Sequence, residues 1–148
     1  MHGITESLFV GNVDDANNPP AHITGLLFVA EEHDITPPDR VLFSKVPLRE
    51  FSEADPQLLK SAIEWLEQHA GSHRLLVCCR AGMGRSVSVI IAYLCCVLGK
   101  SYEDALLLLR SRRPGATPLP ALEQTISKVQ ELRKGSGIKQ PGSAARRP

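Results

Sequence analysis

At 148 residues the chain has room for one globular domain built on a single core. An apolar fraction of 43% and a charged fraction of 22% exclude a disordered, highly charged polymer. A formal net charge of +1 excludes a strong overall field for nucleic acid. Charge is unevenly placed, however: Arg133, Lys134, Lys139, Arg146 and Arg147 fall in a final stretch without an acidic residue. The opening Met1-His2-Gly3-Ile4-Thr5-Glu6 lacks the basic and apolar regions of a signal peptide. The longest apolar run, Val87 to Leu98, is too short to span a bilayer.

Ser7-Leu8-Phe9-Val10 is a short apolar run stopped by Gly11-Asn12 and predicts a first strand. Leu26 to Ala30 and Val41 to Val46 predict two more, separated by the turn residues Pro37-Pro38-Asp39. Asp55-Pro56 has the form of a helix start, with Asp55 as N-cap and Pro56 in the first helical position. Leu58, Leu59, Ala62, Ile63 and Leu66 follow at helical spacing until Ala70-Gly71. Leu75-Leu76-Val77-Cys78 is apolar without alternation, as in a strand buried on both faces. Val87 to Leu98 is apolar on every side and, at that length, predicts a buried helix ending at Gly99. Ser101 caps a further helix that stops before Pro114-Gly115, and Pro120 to about Lys134 forms the last. These elements predict a single α/β domain over residues 1–134, with a central, largely parallel sheet of four to five strands flanked by helices. Residues 135–148, rich in Gly, Ser, Pro and basic residues, are expected to be a disordered, solvated tail.

The chemistry lies in Cys79-Arg80-Ala81-Gly82-Met83-Gly84-Arg85-Ser86, where a buried strand hands over to a buried helix. A loop in that position aims successive backbone N–H groups at one point, and the helix N-terminus adds partial positive charge. Gly82 and Gly84 permit the positive φ and close approach of a tight anion nest. Residues Arg80, Ala81, Gly82, Met83, Gly84 and Arg85 are therefore expected to bind phosphate, with the planar fork of Arg85 holding two oxygens. A thiol at such a helix N-terminus, beside arginines, is a reactive nucleophile. Cys79 would attack phosphorus to give a thiophosphoryl intermediate that water hydrolyses, and Ser86 can donate a hydrogen bond to the departing sulfur. Arg85 and the loop amides supply the electrostatic stabilisation, so no metal and no cofactor is expected.

From about Ile4 to Arg133 the sequence resembles the small dual-specificity branch of the cysteine-dependent protein tyrosine phosphatases. Ser7-Leu8-Phe9-Val10-Gly11-Asn12, the eight-residue loop, Ala92-Tyr93-Leu94 and Arg112-Arg113-Pro114-Gly115 carry the resemblance. It implies Cys79 as nucleophile, phosphate binding by residues 80–85 and the leaving-sulfur role for Ser86. It also implies a shallow cleft open to phosphotyrosine, phosphoserine and phosphothreonine.

Three positions depart from the family pattern. Cys78 stands where a His that supports the loop is usual, and Leu119-Pro120 where a bracing Asn is expected. The third is the general acid, normally an Asp about thirty residues before the nucleophile, where this chain has Arg49-Glu50-Phe51. Glu50 is the candidate acid, because a carboxyl group suits protonation of a leaving phenolate or alkoxide. Asp55 is its rival, although Asp before Pro at a helix start reads more simply as a cap.

Cysteines in two adjacent pairs, Cys78-Cys79 and Cys95-Cys96, form neither a disulfide framework nor a zinc motif. They point to a reducing, intracellular setting, cytoplasmic with the nucleus as a second site. Cys95 and Cys96 read as core, and a strained Cys78–Cys79 bridge is a minor alternative. His2, His22, His33, His69 and His73 have no ligand spacing and are expected at the surface. The expected partner is a phosphoprotein substrate of a monomeric enzyme, with no nucleic acid and no membrane span. Phosphoinositides or RNA 5′ ends are alternative substrates of the same chemistry. A non-enzymatic phosphate-binding module is the remaining alternative.

Overall fold

The computed structural model of the protein describes residues 1–135. Five strands, β1 (His2–Gly3), β2 (Leu8–Gly11), β3 (Gly25–Phe28), β4 (Leu42–Lys45) and β5 (Leu75–Cys78), form one sheet in the order β1-β2-β5-β3-β4. Only the β1–β2 pair is antiparallel; β5 runs parallel to β2 on one side and to β3 on the other. All four residues of β5 are buried, which explains its unbroken apolar run. The α/β domain and its mostly parallel sheet are thus as the sequence predicts.

Helices α2 (Pro56–His69), α3 (Arg85–Cys96), α4 (Tyr102–Arg112) and α5 (Leu122–Gly135) match the expected order. Asp55 caps α2 through its side chain, and Ser101 caps α4. Helix α3 is apolar all round because it lies against β5 and β2 and touches α2, α4 and α5. Every one of its twelve residues is buried. It begins at Arg85, two residues before the expected Val87, because a helix needs no apolar residue in its first turn. Helix α5 begins at Leu122 instead of Pro120, since Ala121 takes a left-handed φ of 54° that interrupts the helical path.

Two short elements escape the periodicity argument: β1, and the five-residue helix α1 (Val13–Asn17). The legible signal for α1 was Asn12 three residues before Asp15. Each side chain accepts the other's backbone N–H at 3.0 Å, which makes a capping box.

One residue of the expected tail belongs to the last helix. Gly135 is the last residue of α5, and Arg133, two residues earlier on the same helix, is buried. Its guanidinium faces Glu64 at 3.4 Å and Glu67 at 3.2 Å, which ties α5 to α2. The rest of the tail, residues 136–148, lies outside the described residues.

Candidate active site

Four parallel strands end on one rim, and the segments that leave their carboxyl ends supply the site. Gly11 and Phe28 are both in register with Cys78 at the end of β5. The segment after β3 carries Glu32, that after β4 carries Leu48 and Glu50, and that after β5 carries Cys79 to Gly84. Residues far apart in sequence therefore converge on one loop.

That loop is shaped from outside. Arg80 O accepts from Val13 N at 3.1 Å, and Met83 O from Thr117 N at 2.7 Å. Ala81 O and Gly82 O accept from the Arg113 guanidinium at 3.3 and 3.1 Å. Gly84 O accepts from Ser88 N at 2.9 Å and from Ser88 Oγ at 2.7 Å. Five consecutive carbonyls are thus drawn away from the loop's concave side. In a trans peptide the C=O and the next N–H point in opposite directions, so the amides are turned inward. Gly82 takes a φ of +71°, and a Cβ there would lie 2.5 Å from Gly11 O and 2.6 Å from Arg113 Nη2. Only glycine fits both the dihedral and the space. Gly84 is the N-cap of α3 and makes no side-chain cap hydrogen bond, in contrast to Asn12, Asp55 and Ser101 on their helices. The amides of this helix start remain free for an anion.

Cys79 is buried, with its Sγ 3.3 Å from the N–H of Gly82 and 3.2 Å from Ser86 Oγ. Both donors can stabilise negative charge on sulfur.

Arg85 is 1% exposed, and the end of its fork is engaged within the protein. Nη1 and Nη2 donate to the two oxygens of Glu32, the second at 2.7 Å, and Nη1 also donates to Leu48 O at 3.1 Å. The end-on fork is therefore already used. Five N–H groups are available on a guanidinium, and these contacts use both on Nη1 and one on Nη2. Nε has no hydrogen-bond partner among the described residues. Nε–H and the second Nη2–H point the same way, so the side-on edge of Arg85 offers a bidentate anion site. Glu32 is a site residue that sequence reasoning missed, since an exposed Glu-Glu-His loop gives no periodic or motif signal. Its hydrogen bonds from Arg85 hold its carboxyl at about 2, below the ordinary 4.5. Burial works against the Arg85 charge, but Glu32, together with Cys79 and Glu50, holds the guanidinium above its ordinary value.

A pocket of about 490 Å³ opens over the loop. Cys79, Arg80, Ala81, Met83, Gly84 and Arg85 line it, with Glu50 and Phe51 on one side and Thr117, Pro118, Leu119 and Pro120 on the other. Glu50 is thus brought to the pocket that Cys79 lines, where its carboxylate lies 3.3 Å from Arg80 Nη2 and 3.8 Å from Arg85 Nη2. Asp55 is not: its Oδ1 accepts from Gln57 N at 2.8 Å as a helix cap, and it faces a neighbouring depression. Phe51 is 80% exposed at the lip and has a φ of 62°, a strained setting for an aromatic residue.

One departure from the family pattern has a structural substitute. Leu119 donates its backbone N–H to Ser88 Oγ at 2.9 Å, and that hydroxyl holds Gly84 O, so a backbone amide stands where a bracing Asn was expected. Cys78 is fully buried, and burial pushes its thiol well above the ordinary value. Cys95 and Cys96 are core residues, pushed by burial to about 11 and about 12. No group of His, Cys, Asp or Glu among the described residues is arranged to hold a metal ion. His2 is exposed, as expected, and its ring also contacts Arg113 at 2.8 Å.

The dual specificity phosphatase catalytic domain family matches residues 8–131. The chain is 34% identical over 139 residues to dual specificity protein phosphatase 1B of Arabidopsis thaliana, covering 88% of this chain and 80% of the relative. It is 28% identical over 135 residues to a MAP kinase phosphatase with leucine-rich repeats from Dictyostelium discoideum, covering 86% of this chain but only 16% of that larger protein. The crystal structure of human DUSP28 superposes with a TM-score of 0.79 at 24% identity, covering 92% of this chain and 99% of the other. With a Cys79–Ser86 loop of this geometry and a match over nearly the whole described fold, the chain belongs to the dual specificity phosphatases, within the cysteine-dependent protein tyrosine phosphatase superfamily.

Proposed function

We propose that the protein hydrolyses phosphotyrosine, together with phosphoserine and phosphothreonine, on protein substrates through a thiophosphoryl intermediate on Cys79. The observation that carries this reading is the side-on edge of Arg85, buried and unpartnered at Nε among the described residues, in the pocket that Cys79 lines. A phosphate held by that edge and by the loop amides meets Sγ from the side opposite the departing oxygen. The Sγ–P bond forms as the P–O bond to the alcohol breaks. Glu50 gives its proton to that oxygen, then takes one from the water that attacks the intermediate. The second step breaks the S–P bond, and the Ser86 hydroxyl stabilises the released thiolate.

Arg80 lines the pocket, ion-paired to Glu50 at 3.3 Å, and acts as a second cationic ligand of the phosphate dianion. Phe51, Met83, Pro118, Leu119 and Pro120 give the pocket an apolar wall, which suits an aromatic ring behind the phosphate. Among the lining residues only Arg80 and Arg85 are cationic, which does not favour phosphoinositides or other multiply charged head groups.

Turnover of phenyl phosphate and of phosphopeptides by wild type and Cys79→Ser tests the proposal. Serine preserves the loop but is not ionised at neutral pH. Loss of turnover with retained vanadate binding is expected. Retention of about a tenth of the wild-type rate would remove Cys79 from the nucleophile's role.

A further inference from the structure

We propose that Arg113 is a positioning residue for the phosphate loop and that the neutral imidazole of His2 holds it in register. This inference rests on the reading of residues 79–85 as the phosphate cradle. Arg113 directly succeeds α4 and is 6% exposed. It ties down Ala81 O and Gly82 O, the two loop carbonyls that no backbone amide or serine among the described residues holds.

The consequence comes from peptide geometry. Drawing Ala81 O outward turns the N–H of Gly82 inward, where it lies 3.3 Å from Cys79 Sγ. Drawing Gly82 O outward does the same for the N–H of Met83. One buried cation therefore sets two of the donors that face the nucleophile and its anion. Gly82 permits the approach, since a Cβ would stand 2.6 Å from Arg113 Nη2. Arg113 acts through the loop and has no contact with the reacting atoms.

His2 supplies the outer anchor. Its strand pairs with β2, and its Nδ1 lies 2.8 Å from Arg113 Nη1. Arg113 can only donate, so Nδ1 must be the acceptor and the ring must be neutral. A protonated ring would lose this hydrogen bond and set two cations against each other. The groups that face His2 are Arg113 beyond α4, the Met1 amino group and Asp15 of α1. Burial, then Arg113 and the amino group, push the imidazole below its ordinary 6.5, against the opposing pull of Asp15. The anchor is therefore intact at neutral pH and is lost on acidification.

The test compares Arg113→Met, Arg113→Lys and His2→Gln with wild type, using orthovanadate binding and phenyl phosphate turnover well below the melting temperature. Arg110→Met, an exposed arginine one turn earlier, is the control. Misplaced donors should lower kcat by roughly a hundredfold and weaken vanadate at least about tenfold in Arg113→Met. Lysine, a point donor, should restore only part, because it cannot reach both carbonyls as a planar fork does. The ratio of wild-type to His2→Gln kcat/KM should be constant above about pH 7 and fall toward pH 5, since glutamine keeps an acceptor but does not titrate. Other ionisations cancel in that ratio.

If wild type does not turn over phenyl phosphate, the functional reading fails, and vanadate binding still decides the brace. If Arg113→Met does not fold, the lysine variant and the His2 pH ratio decide it. Vanadate affinity and kcat within about threefold of wild type in the Arg113 variants, or a flat His2 ratio, would overturn the proposal.

Discussion

Glu32→Gln separates the two effects that a carboxylate beside Arg85 can have on an anion site. If Glu32 acted only through its charge, removing it would make the pocket more positive and bind phosphate or vanadate more tightly. If Glu32 fixes the guanidinium so that Nε and Nη2 face the anion, its loss weakens binding. The geometry favours the second effect, because both Nη atoms are committed to Glu32 while Nε is left open. The coupling can be sized from the carboxyl group, which falls from 4.5 to about 2. At about 1.36 kcal/mol per tenfold change in proton affinity this is roughly 3 kcal/mol before screening. The Glu32 side chain is 41% exposed, so solvent reduces the pair's contribution to about 1–2 kcal/mol. Glutamine should therefore lower unfolding free energy at pH 7 by about that amount, read by urea denaturation. Because the folded value lies below the unfolded one, the contribution is full above about 4.5 and is lost as pH falls toward about 2. The stability gap between wild type and variant should close over that window. Vanadate affinity at pH 7 should drop by roughly ten- to a hundredfold, in keeping with the loss of a charge-assisted, oriented contact. Tighter vanadate binding by Glu32→Gln would refute the orienting role.

Glu50→Gln should slow phenyl phosphate roughly a hundredfold or more while affecting an ester with an acidic leaving group much less, whereas Asp55→Asn should cost little; the reverse pattern would make Asp55 the acid. Gly82→Ala places a Cβ against Gly11 O and the Arg113 guanidinium at a left-handed φ, so turnover should be lost and the melting temperature lowered. A variant as active and as stable as wild type would contradict this loop geometry. Activity should survive EDTA, be lost to peroxide and return with thiol, as a mechanism that depends on the Cys79 sulfur requires. Loss in EDTA that a divalent ion restored would speak against a metal-independent mechanism.

The loop and its scaffold were readable because their physics is local. An apolar run with no alternation, two glycines and an arginine at fixed spacing specify a strand, a nest and a helix within a few residues. Asp55-Pro56 and Ser101 announced two helix starts by the same local chemistry. Glu32, Arg113 and His2 were not readable in this way, because their roles arise only when distant parts of the chain meet around the loop. Glu32 sits 53 residues from its partner Arg85. His2 sits 111 residues from Arg113. The burial of Arg133 was not readable for a related reason: nothing near it in sequence shows that its helix carries it onto the acidic residues of α2.

Mass spectrometry of the rapidly quenched protein during turnover of phenyl phosphate tests the chemistry of Cys79 most directly. One phosphoryl group should be found on the peptide containing Cys79. It should accumulate when Ser86→Ala slows release of the thiolate, and be absent from Cys79→Ser. Steady turnover with no phosphoryl group on Cys79 in wild type or Ser86→Ala, or with the group on another residue, would contradict the assignment of Cys79 as nucleophile.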